Sequence, residues 1–160
     1  MRRLFAGVEG ISRCLHGIAG VSLVFLMFLT VTDVVLRMLR IPFPGTYELV
    51  GFAGAVAIGF AMPFTAWIRG NVYVDSFLGR LPKAGRATFH IVTRVLAIGL
   101  FILIGWNLVL FGMDLRGSGE VSPTLQLRFY PVAFGLAVAS FLQVIVLVCD
   151  IAKIFRGEYE

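Results

Sequence analysis

Four long apolar runs, at residues 17–36, 49–68, 91–111 and 132–148, are separated by short polar segments. A bilayer core about 30 Å thick needs about 20 apolar residues in a helix. Each run approaches that length, and none alternates with a period of two. Lipid offers no partner to an exposed backbone group, so such runs close their hydrogen bonds internally as helices. The pattern predicts an all-α integral membrane protein with four transmembrane helices, built as a single four-helix domain over residues 1–160. No internal repeat is visible. The first run is too long for the apolar part of a signal peptide, and no A-x-A-like site follows it, so it is expected to stay as a span.

Within the runs, the second has a distinctive face. Gly51, Ala55 and Gly59 recur every four residues, as do Ala53, Ala57 and Ala61. Helix association in lipid relies on van der Waals fit, and small residues at this spacing let helices approach closely. Pro63 follows on the same helix and removes one backbone bond, so a kink is expected there. Gly135 and Ala139 repeat the small-residue device more weakly in the fourth run. Between the second and third runs, Val74, Phe77, Leu78 and Leu81 have helical spacing, with Asp75 as a cap and Pro82 as a stop. That spacing predicts a short amphipathic helix on the cytoplasmic membrane surface. The loop before the fourth run is rich in Gly and Ser and ends in Phe129 and Tyr130, which suit an aromatic belt.

Composition strengthens the membrane reading. The chain has 160 residues, 59% hydrophobic and 14% charged, with a mean hydropathy of +0.93. A soluble domain of this size could not hide that much apolar surface. The net charge of +5 does not point to nucleic acid, because the basic residues lie between apolar runs, where they set topology and meet anionic headgroups. Ten Lys and Arg fall in the two termini and the middle segment 69–94, against four in segments 37–48 and 112–131. The positive-inside rule then places both termini in the cytoplasm. Cys14 and Cys149 lie at the ends of apolar runs without metal spacing and read as reduced packing residues.

The candidate chemistry is sparse. Asp33, Arg37 and Glu48 gather around the turn between the first two runs, and ionisable groups beside hydrocarbon call for an account. Asp33 and Arg37 stand one helical turn apart and can pair. Glu48, in the first turn of the second helix, suits the helix dipole. Depth counting puts all three near the membrane edge, so they are expected to clasp the hairpin or to contact a partner. No phosphate loop, nucleophile elbow or metalloprotease motif occurs, and neither an enzymatic activity nor a cofactor is expected. His16 and His90 could in principle hold one haem between facing helices, as in the membrane anchor of a redox enzyme. Both lie at helix ends, and no second pair exists. A small multidrug carrier is disfavoured, since no acidic residue lies deep in the first run.

Taken in order, Asp33-x-x-x-Arg37, a Pro/Gly turn, Glu48 opening a small-residue helix, Arg69-Gly-Asn71-Val-Tyr-Val-Asp75 and Leu81-Pro82 resemble the small membrane subunit, DctQ-type, of tripartite ATP-independent periplasmic (TRAP) transporters. The resemblance covers nearly the whole chain. It departs at Asn71, where family members carry a histidine or similar polar residue. It implies a bacterial inner-membrane subunit that does no chemistry itself. Its implied partners are a large membrane subunit, which carries the substrate and sodium sites, and a periplasmic solute-binding protein that delivers an organic acid for symport. Arg69, Asn71, Asp75 and Pro82 would form an interfacial cytoplasmic motif. The small subunit of a tripartite tricarboxylate transporter shares the four spans but less of the pattern from Asp33 to Asp75.

Overall fold

The computed structural model describes the backbone of residues 2–41, 43–68, 70 and 83–155. Among them are four long helices: α1 (Arg2–Met38), α2 (Thr46–Trp67), α3 (Lys83–Ser118) and α4 (Tyr130–Phe155). Each holds a stretch apolar and long enough to cross a membrane, at Ala6–Met38, Thr46–Trp67, Ile91–Ser118 and Tyr130–Ala152. α1 and α3, of 37 and 36 residues, are longer than the apolar runs alone suggested. At 1.5 Å per residue each spans about 55 Å, well beyond a bilayer core. Their polar starts continue the same helix, because nothing in the sequence before residue 17 or after residue 83 breaks it. The expected amphipathic helix, with Arg69, Asn71, Asp75 and Pro82, lies outside the described residues.

The helices pack in the order α1, α2, α4, α3, so that α4 separates α2 from α3. α1 with α2 and α3 with α4 form antiparallel hairpins, while α2 and α4 run parallel. Both connecting turns, at 39–45 and 119–129, therefore sit at one end, and the starts of α1 and α3 sit at the other. The arrangement is a row rather than a closed bundle. Only 11% of the most apolar window is buried in α1 and in α3, against 44% in α4. α4 is the centre of the molecule, and the flanking helices turn most of their surface outward.

The α1–α2 seam is lined by small residues, and the other two seams set large side chains against glycines. Between α1 and α2, Ala19, Ala53 and Ala57 are buried, and the Ser22 hydroxyl donates to the Ala53 carbonyl across 2.8 Å. That bond needs close backbones, which only small residues allow. The His16 ring stacks on Phe64 with centroids 4.6 Å apart. Between α2 and α4 the fit is reciprocal. Leu136 lies against Gly59, and the Phe60 ring lies where a Cβ on Gly135 would come within 3.1 Å. Between α4 and α3, Phe134 covers Gly112 and Phe141 covers Gly105, leaving a built Cβ only 3.0 and 3.1 Å of room. Both members of that pairing are seven residues apart, two helical turns, so one register serves both contacts.

A buried ion pair closes the end of the α3–α4 hairpin opposite its turn. Arg94 Nε donates to Asp150 Oδ2 at 2.5 Å, with side chains only 7% and 12% exposed. Asp150, near the end of α4, draws Arg94 inward. Such a pair gives register more surely than stability.

The glycine seams predict a contrast. Gly112→Val should lower the stability of the detergent-solubilised protein by about 1–3 kcal/mol, because the added methyls overpack against Phe134. Gly99→Val, where a Cβ meets nothing within 4 Å, should leave the thermal unfolding midpoint nearly unchanged. Equal losses at the two positions would show that helix propensity, not ring-on-glycine packing, decides the outcome.

Candidate functional site

The polar residues singled out around the first turn are divided by the fold into two latches. The first closes the α1–α2 hairpin. Asp33 is buried at 8% exposure, with one carboxylate oxygen accepting from Arg37 Nε at 2.7 Å. The other accepts from the Thr46 hydroxyl at 2.9 Å, which has the Phe43 carbonyl as a second acceptor at 3.0 Å. Asp33 thus joins the last turn of α1 to the first residue of α2. The Arg37 guanidinium lies 5.4 Å from the centre of the Tyr47 ring, a cation–π contact that holds the arginine over α2.

Glu48 does not join that group. Its carboxylate reaches across to the α3–α4 turn, where it accepts from the Ser122 hydroxyl, the Thr124 N–H at 2.8 Å and the Leu125 N–H at 3.0 Å. The turn is shaped to present those donors. Val121 and Arg128 form an antiparallel bridge. Ser122 N–H donates to the Leu127 carbonyl at 2.9 Å, and Gln126 N–H donates back to the Ser122 carbonyl at 3.0 Å. Gln126 takes a left-handed φ of 52° to complete the loop. Ser122 is fully buried, so without Glu48 its hydroxyl would lose its partner.

Gly45 lets the two turns meet. It precedes α2 with φ 85°, a conformation that L residues adopt at a cost. Its carbonyl accepts from the N–H groups of Glu48 and Leu49, both at 3.1 Å. Leu125 packs onto its open face, with Cγ only 2.5 Å from where a Cβ would stand. Glycine is therefore required twice, once by φ and once by space. Further along α2, Phe52 stacks on Phe129 at 5.1 Å between centroids.

Of the helix-packing residues, Gly59 makes the α2–α4 contact described above, and Pro63 is buried in α2, which stays helical to Trp67. Gly51 and Ala55 continue the Gly59 side of α2 toward its start. They line an open apolar groove between α2 and α3, floored by α4. The side chain of His90 lies outside the described residues. Among the described residues, no group of three or more His, Cys, Asp or Glu could hold a metal ion. Neither Cys14 nor Cys149 is in a disulfide. Ser122 and Thr46 were not apparent as site residues in the sequence. The only hint was a polar residue next to a turn, which is a common pattern. Nor was Asp150 apparent as the partner of Arg94, 56 residues away.

All three donors to Glu48 come from the loop, and Asp33 spends its oxygens on Arg37 and Thr46. The site is therefore an arrangement that holds backbone in place, with its carboxylates already committed. Gly45→Ala should impose about 1–2 kcal/mol of backbone strain in addition to the clash. A second change, Leu125→Ala, should relieve the clash and leave the strain, so the double variant should recover only part of the lost melting temperature. Full recovery would mean that φ at residue 45 is unimportant. Glu48→Gln keeps the shape but turns an amide N–H₂ toward loop donors. It should speed tryptic cleavage at Arg128 several-fold relative to the parent, whereas an unchanged cleavage rate would mean the loop holds itself.

One family profile matches this sequence, described as "Tripartite ATP-independent periplasmic transporters, DctQ component", and it covers residues 26–157. No curated protein matches, and no solved structure matches. The matched stretch includes both latches, the α3–α4 seam and the buried ion pair.

Proposed function

This chain belongs to the DctQ component family of the tripartite ATP-independent periplasmic transporters, and from that premise we propose how it serves such a transporter. It is a small permease subunit with four apolar helices. It performs no chemistry of its own and enlarges the static scaffold against which a large membrane subunit moves its substrate. A periplasmic solute-binding protein delivers an organic acid, and sodium drives its uptake.

The observation that carries this reading is the row of helices. Among the described residues, most of the apolar surface of α1 and α3 is left uncovered, which is the form of a slab added to something larger. The carboxylates around the first turn are engaged with their own chain. In sequence, the run 49–68 carries no charge at all. A self-sufficient ion-coupled carrier places ionisable groups deep among its helices, and a bracing subunit has no such requirement. The excess of Lys and Arg at the termini and in 69–94 supports a cytoplasmic position for that end. The turns at 39–45 and 119–129 would then face the periplasm.

A tagged copy co-expressed with the large subunit of the same transporter should retain it through purification. The pair in proteoliposomes should take up substrate only when the binding protein and a sodium gradient are both supplied. Uptake by this chain alone would overturn the bracing role, and uptake without the gradient would remove sodium as the driving ion. A fluorescent protein fused after Glu160 should fluoresce, and alkaline phosphatase inserted after Gly119 should be active. The reverse pattern would invert the orientation.

A further inference from the structure

The groove between α2 and α3 is the feature that the chain's own packing leaves unused. Two bays, of about 340 and 300 Å³, share Ala55, Leu108 and Leu136 and so form one trough. On its α2 side it runs from Tyr47 to Met62, about 22 Å at 1.5 Å per residue. Gly51, Ala55 and Gly59 line that side. A Cβ added to Gly51 would meet nothing within 4 Å, so the smallness of residue 51 serves no contact among the described residues. That alone would not make a site.

The second observation is Gln143. It lines the deeper bay and is 6% exposed, yet its Oε1 is buried without a hydrogen-bond partner. It stands 13 residues after Tyr130 in α4, about 20 Å into the span and far from either interface. A buried amide without a partner is costly in protein and worse beside hydrocarbon. An acyl chain could fill the trough but carries no donor.

We propose that the trough seats one transmembrane helix of the large subunit, whose side-chain ridge lies along Gly51 and Ala55 and whose polar side chain donates to Gln143. This rests on the scaffold reading above and adds the face and the anchoring bond. Small residues admit the ridge closely, and an interhelical hydrogen bond at mid-bilayer fixes depth and rotation.

The test uses the two membrane subunits co-expressed, with the tag on this chain. Gln143→Leu removes the amide at similar volume and should leave this chain alone at least as thermostable as the parent, while weakening its hold on the large subunit roughly three- to tenfold. Gly51→Leu fills the trough and should reduce recovery of the large subunit further, again without destabilising this chain. Phe111→benzoylphenylalanine, on the α3 wall, should photocross-link to the large subunit. Parental retention by both leucine variants would overturn the proposal, as would a cross-link to lipid or to a second copy of this chain instead. If even the parent chain fails to retain the large subunit, the scaffold reading falls first and the proposal with it.

Discussion

The Glu48 carboxylate is the point on which the arrangement of the helices depends. Four apolar helices in lipid have little hydrophobic reason to choose one neighbour over another, since acyl chains are as apolar as leucine. Choice must come from fit and from polar bonds that lipid cannot replace. Glu48, on α2, holds Ser122, Thr124 and Leu125 of the α3–α4 turn. It thereby sets the two hairpins side by side with their turns at the same end. Leu125 against Gly45 adds the steric half of the same junction. Once the ends are fixed, α2 and α4 must run parallel, and the contact of Phe60 and Leu136 with Gly135 and Gly59 falls into register.

The other polar pairs act within hairpins. Asp33 and Thr46 close the first hairpin at its turn, and Arg94 and Asp150 close the second at its open end. The three junctions together restrain both ends of the molecule, while the middle of the membrane is left to ring-on-glycine packing. Joined in this way, the two hairpins are held in one register at both ends. The outer faces of α1 and α3 remain largely apolar surface.

Much of this was legible beforehand for a simple reason. Crossing a bilayer imposes a length and an apolarity that appear residue by residue, so the four spans could be read directly. The order of short motifs from Asp33 to Pro82 likewise pointed to the DctQ family, which the profile match over 26–157 supports. Asp33 and Arg37 were readable as a pair because one helical turn separates them.

Pairings across long separations were not legible. Glu48 was grouped with Asp33 by proximity in sequence, yet its donors lie 74 to 77 residues away. Arg94 gave no sign of its partner, and the glycines of α3 showed no small-residue repeat at spacing four, because their period is seven. The sequence by itself determined the solvent, the number of described helices and the family, since each follows from local apolarity or from motifs in order. Only the tertiary structure decided which helix lies at the centre, which loop each carboxylate holds and where a groove stays open. Those outcomes depend on the fit between surfaces, and that fit does not exist until the helices are brought together.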